Sequence, residues 1–490
     1  MKRSDNLVII SLLATILIFP SCAINPVTGK RQLMLVSENR EISMGKEYDP
    51  QVTATFGEYK NEALLGLIQE RGNEMGLISH RPNLEYHFRI LDTPVINAFA
   101  VPGGYIYFTR GILAQFNNEA EMIGVLGHEM GHITARHTVS RQSKQQLGQL
   151  LLIGGMIASE EFRKYGTYAM AGMQLLFLSF SREDEREADR LGVEYTSKIG
   201  YDASKMADFY RVLVRMNLES DHAGIPTWLS THPDPGDRYN SVKRDALIWQ
   251  DSLDFSSWKV NTDSYLQKLD GMVYGEDPRQ GFVEGHRFYH PELKFEFPFP
   301  PGWQLENSPI QVRMAPQDGK ALMIFTFAEG NTLDEAAQAT LQQLQLNVLD
   351  RRRTTVNGMP AFAVLSNQTS QDQSTGQQNT IRVLSYFIDD SGTYYVFHGV
   401  SVEADFDKYS DAFETTMMKF DRLTDPSKLN VQPERIRIRK VQRTGTLADA
   451  FRSFGVQEHQ MEEFAFLNNM ELTDQVPAGK MIKIASEYSQ

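Results

Sequence analysis

Two histidines four residues apart constrain this chain more than any other feature. They stand in the run His128-Glu129-Met130-Gly131-His132. On an α-helix, residues four positions apart share one face, so both imidazoles can bind one metal ion, with Glu129 beside it. In a zinc hydrolase, such a carboxylate takes a proton from the metal-bound water, whose pKa the ion lowers to about 7. The run therefore predicts one Zn²⁺ per chain and Glu129 as general base.

The flanking residues predict that this run lies on a helix. Asn118 suits the N-cap, and Glu121 stands three positions later, where it can complete a capping box. Apolar residues follow at helical spacing: Met122, Ile123, Leu126, Met130 and Ile133. The alternative is a helix whose two histidines only satisfy each other or the backbone inside a core.

A third zinc ligand is expected further along the chain, because a catalytic zinc has three protein ligands and an open fourth position. Ser181 is a plausible N-cap for a second, acidic helix. Three glutamates of this helix are candidates: Glu183, Glu185 and Glu187. We predict Glu185, because its face continues through Asp189 and carries two small residues, Ala188 and Gly192, that allow close approach of another helix. The alternative is an ordinary solvated charged surface.

With both segments, the chain resembles the membrane-associated zinc endopeptidases that include the CaaX prenyl proteases, HtpX and the BepA-type periplasmic proteases. The matching stretches are 128–132, 181–189 and 97–104. The resemblance implies a gluzincin-type centre, in which His128, His132 and Glu185 hold zinc. It also implies that Asp189 is a second acid or an orienting group; a supporting hydrogen bond to a zinc-binding histidine is an equal alternative.

Asn97, Ala98 and Phe99 belong to a segment that predicts a strand near the zinc. Strong strand formers follow at 105–108, after a turn at Gly103 and Gly104. An exposed strand edge beside the zinc can pair with an extended peptide, so residues 97–99 are the predicted substrate strand. The alternative is an ordinary buried strand.

His232 stands in a proline-rich loop, residues 230–238, which also resembles this family. A histidine there can cover the zinc as a fourth ligand and keep the enzyme inactive until a substrate or partner displaces the loop. The alternative is a histidine that only stabilises the turn. Arg238 can orient the loop by hydrogen bonding. The remaining histidines, His137 among them, are predicted to have no role in the site.

The N-terminus predicts export. Lys2 and Arg3 precede an apolar run, residues 7–19, with the length of a signal-peptide core. The run ends near Cys22, the only cysteine of the chain, which excludes internal disulfides. This pattern resembles a bacterial lipoprotein signal, so Cys22 is the predicted lipidation site. The alternatives are an uncleaved anchor and a secreted protein that discards Cys22.

Location and partners follow from this resemblance and from charge. The residue after Cys22 is Ala23, which resembles sorting to the periplasmic side of the outer membrane; secretion and inner-membrane anchoring are the alternatives. The formal net charge of −13 argues against nucleic acid as a partner. An apolar stretch, Leu147 to Ala158, predicts a buried or interfacial helix.

A length of 490 residues predicts about three domains. The expected fold is multidomain: a mainly α zincin-type metallopeptidase domain with a small β-sheet, an α+β domain, and a small C-terminal βααβ domain. The α+β domain resembles PsbP-like domains through segments such as 298–303, and the last domain resembles LysM modules, which can bind peptidoglycan. The predicted boundaries are 1–22 for the signal peptide, 23–250, a linker at 251–280, 281–425 and 432–490.

Two functions are compatible with these features. The first is a zinc-dependent endopeptidase of the bacterial cell envelope that hydrolyses unfolded or misassembled envelope proteins. The second is a latent zinc-binding envelope lipoprotein that acts mainly as a scaffold for proteins or glycan. Glu129 favours catalysis, because a binding protein has no need of a general base.

Overall fold

The computed structural model describes residues 22–143, 180–219, 232, 235–371 and 378–487. The predicted signal-peptide core at 7–19 and the apolar stretch 147–158 lie outside these ranges. Among the described helices, none combines the length and the apolar character needed to cross a bilayer.

The N-terminal region is mainly helical. Its helices are α1 (Glu38–Phe56), α2 (Glu62–Ile78), α3 (Arg110–Gln115), α4 (Glu119–Thr134), α5 (Arg182–Lys198), α6 (Lys205–Glu219), α7 (Pro235–Ser252) and α8 (Thr262–Leu269). Its strands are β1 (Cys22–Ile24), β2 (Arg31–Leu33), β3 (His87–Leu91), β4 (Ala98–Val101) and β5 (Tyr105–Thr109). The last three form a sheet in the order β3-β5-β4, in which β3 runs parallel to β5 and β4 antiparallel to it.

The two predicted site helices begin where the sequence indicates. The side chain of Asn118 accepts a hydrogen bond from the backbone N–H of Glu121 at 2.9 Å, and the Glu121 carboxylate accepts one from Asn117. Ser181 and Asp184 form a complete capping box at the start of α5. Every residue of α4 is buried, so this helix forms the centre of the N-terminal region.

The middle region is rich in strands. They are β6 (Phe282–Glu284), β7 (Arg287–His290), β8 (Phe295–Pro298), β9 (Trp303–Ser308), β10 (Gln311–Pro316), β11 (Ala321–Phe327), β12 (Asn347–Val356), β13 (Met359–Gln371), β14 (Gln378–Asp390), β15 (Thr393–Val402) and β16 (Asp421–Arg422). Seven of them form one sheet in the order β12-β13-β14-β15-β11-β10-β9, and four form a second in the order β16-β8-β7-β6. The helices are α9 (Leu333–Gln343), α10 (Phe406–Met418) and α11 (Pro426–Leu429).

The buried apolar side chains around the seven-stranded sheet form two separate clusters. Phe397 of β15 packs in one apolar cluster with Phe413 of α10. Its neighbour Val396 packs in another cluster with Ala336 of α9. Because successive side chains of a strand point to opposite faces, the seven-stranded sheet has a helix on each face.

The C-terminal region contains the predicted strand, two short helices and strand. Its elements are β17 (Arg435–Lys440), β18 (Gly445–Thr446), α12 (Leu447–Ser453), α13 (Glu458–Leu467), β19 (Gln475–Val476) and β20 (Met481–Ser486). Strand β17 pairs with β20, and β18 pairs with β19.

The C-terminal region packs directly on the N-terminal region. Ile436 exchanges backbone hydrogen bonds with Gly271 and Met272, both at 2.8 Å. Ile482 and Tyr265 belong to the same apolar cluster as the core of α4. Residues 251–280, which the sequence predicts to be a linker, therefore contain α8 and contribute buried side chains to this shared core.

Candidate metal centre

Helices α4 and α5 bring three predicted ligands together. The Nε2 atoms of His128 and His132 lie 3.1 Å apart. Each Nε2 atom is also 3.5 Å from an oxygen of the Glu185 carboxylate. All three side chains are buried, with at most 1% of their surface exposed. The choice of Glu185 over Glu183 and Glu187 agrees with this geometry.

These separations fit a zinc ion. Ligand atoms that sit about 2.1 Å from a tetrahedral zinc are about 3.4 Å from one another, close to the 3.1 and 3.5 Å between the three side chains. Two imidazoles and one carboxylate are also the ligand types of a catalytic zinc.

His232 joins the same cluster. Its Nδ1 atom lies 3.0 Å from Glu185 Oε1 and 3.2 Å from His128 Nε2. Ligand atoms of the four side chains, His132 included, all lie within 4.8 Å of one another. His232 is 1% exposed and is therefore buried together with the other three side chains.

Glu129 lies beside the cluster. Its carboxylate is buried, and neither oxygen makes a hydrogen bond of ordinary length and angle within the described residues; the backbone N–H of Ala100 is close enough only to lower the pKa of the carboxyl slightly against the larger opposing effects. The Nε2 atom of His232 lies 3.7 Å from Glu129 Oε1. Burial, followed by the negative charge of Glu185, raises the pKa of the Glu129 carboxyl well above its usual value. Such a carboxylate has a strong tendency to accept a proton.

Asp189 contacts a predicted ligand from outside the cluster. Its Oδ1 atom lies 2.9 Å from His128 Nδ1, the ring nitrogen that points away from the cluster. Arg238 donates to both Asp189 oxygens at 2.6 Å, and the Tyr210 hydroxyl donates to Oδ1 at 2.6 Å. Burial raises the pKa of the Asp189 carboxyl, but the charge of Arg238 and the hydrogen bonds from Arg238 and His128 together outweigh burial and hold the pKa well below its usual value.

Arg238 also holds the third ligand. Its Nη1 atom lies 2.9 Å from Glu185 Oε2, and its guanidinium is buried against the ring of Tyr210. The sequence predicts that Arg238 orients the proline-rich loop, part of which lies outside the described residues. Within them, Arg238 contacts Asp189 and Glu185 of α5, Tyr210 and His128.

His137, which the sequence places outside the site, contacts His132. The two Nδ1 atoms are 2.9 Å apart, and His137 Nε2 lies 3.2 Å from Glu187 Oε2. Arg136 has a positive φ of 58°, so the chain turns between the end of α4 and His137. A spacing of five from His132 is not a helical neighbour spacing, and no local pattern indicates this contact.

The predicted substrate strand is at a sheet edge next to α4. Ala98 and Phe99 belong to β4, which pairs only with β5 within the described part of the chain. Both side chains are buried, and Phe99 stacks on Tyr107 at 4.9 Å between ring centroids. Asn97 precedes the strand; its side chain is fully buried, and neither amide atom has a partner among the described residues.

For Cys22, the structure describes the pairing of its backbone. It is the first described residue and begins β1, where its backbone pairs with that of Leu33. Lipidation of Cys22 stays a prediction.

A buried carboxylate next to three converging ligand atoms is the arrangement that metallopeptidases use. Residues 65–246, which include both site helices, match Peptidase family M48. The similarity to this metallopeptidase family thus covers the part of the chain that holds the cluster.

Curated relatives agree with the family. The beta-barrel assembly-enhancing protease of Yersinia pestis is 28% identical over 240 residues, which cover 47% of this chain and 48% of the relative. The mitochondrial metalloendopeptidase OMA1 of Bos taurus is 25% identical over 252 residues, which cover 48% and 47%. The chain thus spans about half the length of the curated relatives it matches.

A solved structure also shows a likeness. The solution structure of cyanobacterial PsbP from Synechocystis sp. PCC 6803 covers 29% of this chain and 96% of its own length, with 13% identity and a TM-score of 0.23.

Proposed function

We propose that this chain is a zinc-dependent endopeptidase of the bacterial cell envelope. The observation that carries the proposal is the buried Glu129 carboxylate, which lies beside the converging His128, His132 and Glu185. A buried carboxylate that lacks a hydrogen bond of good geometry in the described structure costs folding free energy, and such a cost is typical of a functional position.

Each residue of the proposed centre has its own role. His128, His132 and Glu185 would hold the zinc. When bound, the ion lowers the pKa of a water molecule and polarises the scissile carbonyl. Glu129 would act as general base toward a water molecule at this centre, because burial and Glu185 raise the pKa of its carboxyl. It would then give the proton to the leaving amine.

Asp189 acts as an orienting group in this proposal. It would accept a hydrogen bond from His128 Nδ1–H, which would leave the Nε2 lone pair of His128 for a metal ion. Arg238 keeps Asp189 ionised, and an ionised carboxylate has no proton to give. This charge state supports the orienting role over that of a second acid.

His232 is proposed as an inhibitory fourth ligand. It is buried among the ligand atoms, where it would compete with water or substrate for the fourth position of a bound zinc ion. Displacement of the loop by a substrate or partner would open the centre. The same contact favours the second candidate function, a latent zinc-binding scaffold, for as long as His232 stays in place.

Substrates are proposed to bind as extended strands. Strand β4 has an unpaired edge in the described sheet, and the buried amide of Asn97 can hydrogen-bond a peptide backbone. Backbone pairing through Asn97, Ala98 and Phe99 selects extended chains with little sequence preference. Unfolded or misassembled envelope proteins fit this requirement, and the Yersinia pestis relative is named as a protease that enhances beta-barrel assembly.

Location and accessory domains complete the proposal. A lipid on Cys22 would hold the chain on the periplasmic side of the outer membrane. The α+β domain, residues 281–425, would be a PsbP-like binding or scaffolding domain. The C-terminal domain, residues 432–490, would be a LysM-like module that can bind peptidoglycan.

The test compares Glu129→Gln with the native chain, in both the native and the His232→Ala background. Casein cleavage and zinc content are measured on the same preparations. We expect Glu129→Gln to lower cleavage by at least about a hundredfold while zinc content is retained. Glu194→Gln, a change on α5 at a carboxylate that pairs with Lys198, is the control and should cleave normally. Zinc binding without Glu129-dependent cleavage in either background would contradict the peptidase and favour the scaffold.

A further inference from the structure

The two histidine ligands differ in what supports their outer ring nitrogens. His128 Nδ1 contacts Asp189, a direct carboxylate partner. His132 Nδ1 instead contacts the Nδ1 atom of a second imidazole, His137, at 2.9 Å. His137 in turn reaches Glu187 of α5, with its Nε2 atom 3.2 Å from Oε2. A carboxylate therefore contacts His128 directly, whereas the carboxylate of Glu187 is linked to His132 only through the ring of His137.

Hydrogen-bond chemistry fixes the protons of this chain of groups. Two Nδ1 atoms at 2.9 Å require one donor and one acceptor. A ligand histidine keeps the Nε2 lone pair for the metal, so the proton of His132 is on Nδ1 and His137 Nδ1 accepts it. The proton of neutral His137 is then on Nε2, where the Glu187 carboxylate accepts it. Each N–H of His132 and His137 in this chain of groups thus faces an acceptor.

The surroundings hold these groups in place. His137 is 4% exposed. The ring of Phe180 stacks on that of His132, with 4.0 Å between centroids and 22° between planes. Glu187 is on the same helix as the ligand Glu185, so α5 supplies both a ligand and the carboxylate at the end of this chain.

We propose that His137 and Glu187 are positioning residues that fix the tautomer and ring orientation of His132 and thereby strengthen zinc binding. The inference rests on the proposed zinc centre and adds residues to it. Loss of an outer hydrogen-bond partner of a metal-binding histidine typically weakens metal affinity by about 10- to 100-fold. The same range is expected for loss of the acceptor nitrogen of His137.

The experiment measures the dissociation constant of Zn²⁺ for the full chain by competition with a chromogenic chelator. His137→Leu and His137→Asn have side chains of equal size, but only asparagine keeps an acceptor near the position of Nδ1. We expect His137→Leu to weaken zinc binding by about 10- to 100-fold, and His137→Asn to recover most of the loss. Thermal unfolding of the metal-free proteins checks that both variants fold equally well.

A second pair of variants tests the far end of the chain of groups. Glu187→Met removes the acceptor of His137, and Glu194→Met is the matched control. Both carboxylates are on α5, with 18% and 16% of their side chains exposed, and both contact a basic residue. Only Glu187→Met is expected to weaken zinc binding.

The outcomes separate this inference from the proposed function. Unchanged zinc affinity in His137→Leu, equal affinity losses in His137→Leu and His137→Asn, or equal losses in the two glutamate variants would overturn the positioning role while the zinc centre stands. Absence of zinc binding by the native chain would overturn both. Peptidase activity does not enter either readout.

Discussion

Gly192 packs directly against the backbone of His128. A Cβ atom added at Gly192 would lie 2.8 Å from the backbone nitrogen of His128, closer than real Cβ atoms approach. From the other side, a Cβ atom at Gly127 would lie 2.9 Å from the carbonyl oxygen of Gly192. Glycines on both helices thus let α4 and α5 touch at their backbones, and this contact sets the distance between Glu185 and the histidines.

Gly192→Ala should therefore separate the two helices. We expect the free energy of unfolding to fall by about 1–3 kcal/mol, because a methyl group is forced into packed backbone, and zinc affinity to fall with it. Gly66→Ala in α2, where an added Cβ has no atom within 4 Å, is the control and should stabilise by about 0.5–1 kcal/mol. Urea unfolding of the metal-free proteins measures the stability of both variants. Equal stability of Gly192→Ala and the native chain would contradict the close contact between the two helices.

His232→Ala should raise basal casein cleavage, because the side chain that would compete for the fourth position of a bound zinc ion is removed. Initial rates are compared at saturating zinc, with His286→Ala as a control at a histidine of the middle region. Unchanged or lower cleavage in His232→Ala would argue that His232 stabilises its loop instead of inhibiting the enzyme.

Lys483→Met should destabilise the N-terminal region, although Lys483 belongs to β20 at the other end of the chain. Its buried amine donates to the carbonyl oxygens of Ala114, Gln115 and Phe116, at 2.8, 3.3 and 3.0 Å. Methionine would leave these oxygens without that partner, at a cost of about 1–3 kcal/mol. Lys480→Met, at an exposed position, is the control. Equal unfolding temperatures for the two variants would contradict the role of Lys483.

His398 should make the middle region less stable in acid. It is buried next to Ser385, and burial lowers its pKa to about 4, from about 6.5 in the unfolded chain. The folded state therefore binds fewer protons, and the stability that this neutral side chain contributes is present above pH 6.5 and is lost as pH falls toward 4. Between pH 7 and pH 5 the native chain should lose about 2 kcal/mol more than His398→Leu. Identical pH dependence of urea unfolding in the two proteins would contradict this.

Much of the centre was predictable, because its determinants are local. The spacing of His128 and His132 places both on one face of a helix, and Asn118 and Ser181 begin the two site helices by capping interactions within a few residues. The choice of Glu185 also needed only the helical period, since small residues share its face. The strands and helices of the middle region were predictable in the same way, from apolar residues that alternate along strands and recur at helical spacing.

The sequence by itself thus determined a pair of capped helices, the metal-binding face of each, and the class of chemistry that such faces support, because these depend on periods of a few residues. Only the tertiary structure decided that His137 turns back onto His132, that Arg238 holds Asp189, and that Lys483 reaches the end of α3. Each of these contacts joins side chains across a turn or between distant segments, and no local propensity encodes which distant partner a buried polar group will find.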